Sequence, residues 1–205
     1  MSFFGIDGGF YRFICRFIDL VKLNLLWLLC SLPIVTIGAS TVAAYSVALK
    51  MVDDEESYIA RSFFKAFKEN FRQGTVLGII FLAATYAIYL DYEINRVSVE
   101  GSMPLMVIGI LSAFIYVTAM LYSFPLLARY ENGIIATIQN SMEISRRYFG
   151  RTLLIVAVLA LEFLVFNFNT ILQCIGLLFG PAFAVFTVAA FSKRIFQEIE
   201  KDQQS

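Results

Sequence analysis

The sequence predicts an all-α fold: a polytopic transmembrane helix bundle forming one integral membrane domain over residues 1–205. Three observations lead there. Apolar residues make up 59% of the chain and charged residues 16%, whereas a soluble domain is about half apolar. The apolar residues gather into runs that can cross a hydrocarbon core of about 30 Å, a distance that takes about 20 helical residues. Basic residues, in turn, fall mainly at the ends of those runs and in two amphipathic stretches between them. Spans are expected near 10–32, 38–52, 74–90, 104–128, 152–171 and 176–193, with amphipathic helices near 57–72 and 133–149. This is six spans as three hairpins joined by two cytoplasmic linker helices, with a five-span form left open.

The first expected span has Phe10, Phe13, Ile14, Phe17 and Val21 on one face and Arg12, Arg16 and Asp19 on another, a helix rising from a membrane interface. Pro33 ends it, since proline lacks an N–H and restricts the residue before it. A single helix over 17–52 would be about 54 Å long, far beyond the bilayer core, so the chain is expected to turn at Pro33–Gly38. Pro33 and Gly38 are therefore architectural. The second helix, 39–52, is rich in small residues that permit close helix approach.

Asp53, Asp54, Glu55 and Glu56 precede the first amphipathic helix, where carboxylates suit the positive end of the helix dipole. In that helix Ile59, Phe63, Phe64, Phe67 and Phe71 form an apolar face, and Arg61, Lys65, Lys68 and Arg72 a basic one. Such a helix either lies on an anionic lipid surface or packs on the cytoplasmic ends of its own bundle. The second places Ile134, Ile135, Ile138, Met142 and Phe149 opposite Gln139, Asn140, Glu143, Arg146 and Arg147. The connection before the last span is expected at Gln173–Cys174, with Gly176 to Pro181 punctuating the start of that span. The tail, 195–204, reads as solvated or partly frayed.

A weak internal similarity links 45–74 with 122–150, at an offset of 77 and then 76 residues; it is either a parallel repeat or a product of generic apolar composition. Orientation follows from charge. With a turn at Pro33–Gly38, 15 of the 16 Lys and Arg residues lie on the side of both termini, with Arg96 alone opposite. The positive-inside rule makes that side cytoplasmic, so the chain is expected in the plasma membrane with both termini inside. The amino terminus lacks a basic n-region and a small-residue cleavage site, so no cleavable signal is expected.

Histidine is absent, which excludes His-containing zinc sites, histidine-ligated haem and any histidine-based triad. Cys15, Cys30 and Cys174 stand apart in apolar surroundings and read as structural thiols. Gly5, Gly8 and Gly9 lack the lysine and strand of a phosphate loop. A net charge of zero offers nothing to nucleic acid, and no cofactor is expected. Glu162 is the most pointed residue. It lies roughly 15 Å along the helix from Thr152, near the expected midplane, where an ionisable side chain suggests proton coupling or contact with a polar ligand; a protonated acid bonded to a neighbouring helix is the structural alternative. Asn167, Asn169 and Gln173 follow on the same helix, and Asn24, Ser31 and Thr36 lie in the first hairpin; they either line a polar cavity or join helices. Glu162 and Asn167 are the candidate ligand-binding residues. Arg61, Lys65, Lys68, Arg72, Arg146 and Arg147 are the membrane-interface residues, with Arg151 beside the last pair, where a cluster can meet lipid phosphates or simply be solvated.

Asn24-Leu25-Leu26-Trp27, Leu32-Pro33-Ile34-Val35-Thr36-Ile37-Gly38, the run from Arg61 to Gln73 and Tyr122-Ser123-Phe124-Pro125-Leu126-Leu127-Ala128-Arg129 together resemble the YesL family, a domain of unknown function mainly from Gram-positive bacteria. The likeness runs over nearly the whole chain, although the family often has proline where this chain has Ala39. What it implies is an integral membrane protein whose genes often lie beside carbohydrate uptake transporters and glycan-degrading enzymes, with no catalytic residues to carry over. The leading expectation is thus a non-enzymatic accessory factor of carbohydrate uptake, whose partners are the lipid bilayer and a carbohydrate ABC transporter permease. The alternative is a small transporter or channel with a polar site near Glu162; an enzyme acting on lipid-linked substrates ranks third, for want of a nucleophile–base arrangement.

Overall fold

A computed structural model describes residues 9–53, 58–97 and 103–204. The amino-terminal stretch read for a signal, the acidic residues Asp54–Glu56 and part of the 91–103 loop lie outside the described residues. Among those described, every regular element is helical: α1 (Gly9–Ser31), a short 3-10 turn (Ile34–Thr36), α2 (Ile37–Val52), α3 (Ile59–Glu69), α4 (Phe71–Val97), α5 (Met103–Arg129), α6 (Ile134–Arg147), α7 (Phe149–Phe166) and α8 (Thr170–Gln204). Five segments are long and apolar enough to cross a membrane: Ile34–Val52, Phe71–Arg96, Met106–Arg129, Phe149–Phe166 and Thr170–Asp202. Arg16, Asp19 and Lys22 interrupt the apolar run of α1, which is why it does not join them.

The chain does turn at Pro33. Thr36 closes the turn: its backbone N–H donates to Pro33 O at 2.8 Å, and its hydroxyl, 2.6 Å from Cys30 O and 2.7 Å from Pro33 O, can serve Cys30 O, a carbonyl that the end of α1 leaves open. α2 then becomes the centre of the molecule, packing on α1, α3, α4, α5 and α8, with Val42, Ala43, Val47, Ala48 and Met51 fully buried. Small side chains make this possible. At Gly38 a Cβ would lie 2.6 Å from Gly78 Cα, and at Gly74 it would lie 2.8 Å from Ala39 Cα, so α2 and α4 meet backbone to backbone. Trp27 ties α1 to α2 by donating its indole N–H to Thr41 Oγ1 at 3.1 Å.

The two amphipathic helices repeat one packing scheme: α3 folds back on α2 and α6 on α5, each before the next long helix begins. Tyr45 and Tyr122, the aligned residues of the sequence similarity, are both buried. Small polar side chains join α5, α6 and α7: Ser123 donates to Ser141 at 3.0 Å, Ser145 to Thr118 O at 3.1 Å, and Tyr122 and Thr152 share a 3.0 Å bond. Away from this interior, α4, α5, α7 and the first half of α8 expose Ile79, Leu111, Leu161 and Leu177 among many large apolar side chains, as a lipid-facing surface should.

Two expectations are corrected. The last turn lies at Asn167–Asn169, and α8 runs unbroken from Thr170 through Gly176 and Pro181, because α1 repairs the proline gap as described below. The tail is the end of α8, held by ion pairs to three other helices.

Candidate functional site

Two glycines and a proline in α8 leave room beside α7. Phe166, the last residue of α7, packs over Gly176, where an added Cβ would lie 2.9 Å from Phe166 Cβ, and over Phe179 with ring centroids 5.4 Å apart. The first turns of α8 therefore extend past the end of α7. A cavity of about 410 Å³ opens between them, lined by Glu162, Phe163, Phe166, Asn167, Gln173 and Gly180 among others. The structure thus brings Glu162 and Asn167 to one cavity, and adds Gln173.

Glu162 lies four residues before the end of α7, about 6 Å along the axis, nearer the helix end than the midplane position expected from a span of 152–171, because α7 stops at Phe166. Thr187 of α8 donates to its Oε1 at 2.7 Å; its Oε2 is sheltered and meets no hydrogen-bond partner among the described residues. Asn167 Nδ2 donates to Phe163 O at 2.8 Å, and Asn169 Oδ1 accepts from the Leu172 N–H at 2.9 Å. Both asparagines thereby cap the helix ends flanking the turn. What the cavity presents is an acid and amides on an apolar wall with aromatic rings. That set can hold a small polar ligand by hydrogen bonds.

Asn24 has a different occupation. Fully buried, it donates Nδ2 to Leu177 O at 3.0 Å and Leu178 O at 2.8 Å, and accepts from the Ala182 N–H at 3.2 Å through Oδ1. These are the groups that Pro181 strands, because proline offers no N–H to Leu177 O and its ring pushes the helix open. Sequence reasoning missed this pairing and Thr187. A signal was present: a proline inside an apolar helix needs a donor from elsewhere, and Asn24 is the lone amide of α1.

The basic residues divide. Arg61, Lys65, Lys68 and Arg72 are all exposed; among the described residues Lys65 approaches a carboxylate, Glu69 at 4.0 Å. At the second cluster Arg146 bonds Glu143 at 2.8 Å, Arg147 bonds Asp202 at 2.8 Å and Arg151 bonds Glu198 at 2.8 Å. Arg129 adds a bidentate pair with Glu200 at 3.1 and 3.0 Å. Arginines of α5, α6 and α7 thus hold the carboxylates of α8. Tyr130 joins them, donating to Glu200 Oε1 at 2.5 Å; burial first, then this bond, pushes its hydroxyl up to about 12. Lys193 of α8 pairs with Asp53, the residue that caps α2.

Comparison with known proteins follows the same stretches. Residues 20–92, from the middle of α1 into α4, match a family model described as protein of unknown function, DUF624. The chain is also 27% identical over 131 residues to the uncharacterized protein YesL of Bacillus subtilis (strain 168), a match covering 62% of this chain and 61% of the relative. The match therefore spans about three-fifths of that curated relative's length. No solved structure matches the chain. These two matches support relationship to a YesL-like family of unknown function.

Proposed function

We propose that the protein is a non-enzymatic accessory factor of the plasma membrane that serves carbohydrate uptake, contacting a carbohydrate ABC transporter permease within the bilayer. The observation that carries this reading is the division of labour in the bundle. Its buried polar groups join helix to helix, as Asn24 does to α8 and Ser123 to Ser141, while long faces of α4, α5 and α7 stay open and apolar, free for lipid or another membrane helix. The gene neighbourhood implied by the family resemblance supplies the sugar connection. Co-purification of a carbohydrate permease from native membranes is the expected result, and sugar flux into liposomes holding this protein alone would overturn it.

The cavity beside Glu162 favours a second reading, a small transporter or channel. Complementation of a deletion strain by Glu162→Gln to full wild-type phenotype would remove it.

Both termini belong on the cytoplasmic side, with α1 as a sixth span. Asn24 meets α8 within its long apolar stretch, at Leu177 to Ala182, so α1 runs beside a spanning helix despite its charges. Cysteine-accessibility labelling tests this: reagent reaching Cys15 from outside the cell would sink the six-span arrangement.

A further inference from the structure

α3 carries more apolar surface than its packing uses. Its buried face consists of Ile59, Phe63 and Ala66, which pack on α1 and α2. At about 100° per residue these three fill a sector of roughly 60°. Next round the helix come Phe67, partly buried against the core, and Phe64, 45% exposed. Beyond them, nearly opposite the buried face, stand Lys68, Arg61 and Lys65, all exposed. Asn70 alone separates α3 from α4, a candidate span whose first residues are Phe71, 44% exposed, and exposed Arg72. The aromatic flank is one continuous row: Phe63 to Phe67 ring centroids are 6.2 Å apart and Phe67 to Phe71 5.4 Å.

We infer that the exposed flank of α3 is a docking surface for anionic phospholipid headgroups, and that this lipid clamps α3 onto the α1–α2 hairpin. A helix that only packed on its bundle would have no use for exposed rings, Phe64 and Phe71, beside a basic row. A helix at the bilayer surface needs both: rings such as Phe64 and Phe71 enter the acyl boundary, and the cations next to them meet phosphates. The position fits, since the row leads into the first turn of a spanning helix. So does the charge, because Arg61, Lys65, Lys68 and Arg72 against Glu69 leave a net +3 over 59–72. The clamp follows from geometry. Lipid on one side of α3 presses its other side, Phe63 foremost, into the core that Trp27 and α2 share.

The test uses the full chain in nanodiscs of phosphatidylcholine, with and without one lipid in four replaced by phosphatidylglycerol. Fluorescence of Trp27, the single tryptophan, reports the thermal midpoint of the α1–α2 contact, and native mass spectrometry reports retained lipid. Phosphatidylglycerol should raise the midpoint, and about 1 M salt should cancel the rise by screening. Substituting Arg61, Lys65, Lys68 and Arg72 together by Gln should abolish the rise and weaken phosphatidylglycerol retention by about fivefold per charge removed. Phe64→Ala with Phe71→Ala should shrink the rise yet leave it salt-sensitive. Should the fourfold variant fail to fold, Lys65→Gln with Lys68→Gln must still show a smaller rise than wild type. Equal midpoints in the two bilayers, a full rise in either charge variant, or the same rise from free glycerol phosphate would each overturn the inference.

Discussion

The bond between Asn24 and the proline gap of α8 makes a prediction that a double-mutant cycle can measure. Asn24→Ala removes three hydrogen bonds, at 2.8, 3.0 and 3.2 Å, and leaves two carbonyls and one N–H unserved around a side chain that is itself fully buried. Interhelical hydrogen bonds in membranes are worth about 0.6–1.7 kcal/mol each, and stranding their partners adds to the loss. The expected cost is about 2–4 kcal/mol. In a Pro181→Ala background, residue 181 regains an N–H for Leu177 O, and a straightened helix returns the Ala182 N–H to Leu178 O. There the same Asn24→Ala change should cost only about 1 kcal/mol, a coupling of about 1–3 kcal/mol. Reversible unfolding in mixed micelles, followed by Trp27 fluorescence one helical turn from Asn24, gives all four stabilities. If Asn24→Ala costs the same within about 0.5 kcal/mol whether residue 181 is proline or alanine, the repair of the gap by Asn24 is wrong.

Other expectations can be checked in the same micelles. Gly38→Ala forces a Cβ to within 2.6 Å of Gly78 Cα and should destabilise by about 1–3 kcal/mol, since neither backbone can yield cheaply. Gly150→Ala, with nothing within 4 Å of the new Cβ, should be neutral or stabilising by up to about 1 kcal/mol, and an equal loss at both glycines would refute the close-contact account. Glu200→Gln breaks the bidentate pair with Arg129 and should speed hydrogen exchange over 195–204, an effect that shrinks in high salt; unchanged exchange would mean the tail holds without it. Tyr130 titrates high because the fold favours its neutral hydroxyl, so the stability it lends is complete below pH 10 and lost as pH rises toward about 12. Tyr130→Phe should flatten the fall in unfolding midpoint across that window, and identical alkaline profiles would count against the part-buried bond to Glu200.

Local chemistry was enough to place most helices. The turn at Pro33, the start of α4 beside Gly74 and the amphipathic character of α3 and α6 follow from breakers and apolar periodicity, which act within a few residues. The α7–α8 turn was not legible that way. Gly176 and Pro181 look like punctuation, and only a side chain more than 150 residues away, Asn24, lets the helix pass through them. The arginine pairs were hidden for the same reason: Arg147 and Arg151 read as interface charges and Arg129 as the end of a span, until α8, extended as a helix to Gln204, brings Asp202, Glu198 and Glu200 to them. Glu162 and Asn167 could be singled out from their rarity in an apolar run, but not the cavity they share, which comes from the overhang of α8 beyond Phe166.

These long-range contacts share an arrangement that bears on function. α8 is fastened at three heights: to α1 through Asn24, to α2 through Lys193 and Asp53, and to α5, α6 and α7 through its terminal carboxylates. Glu162 and Thr187 link α7 to the stretch of α8 between the first two. A ligand in the cavity would act on α8 between Gln173 and Ala184, where the helix is weakened by Pro181 and supported by Asn24. Any movement there must alter the contact with α1, whose Trp27 sits on α2 and reports it. If the cavity has a ligand, its binding should therefore change Trp27 emission in the wild type and lose that effect in Pro181→Ala, where α8 no longer depends on α1 for its continuity. A Trp27 response that survives Pro181→Ala unchanged would show that the cavity and the first hairpin communicate by another route.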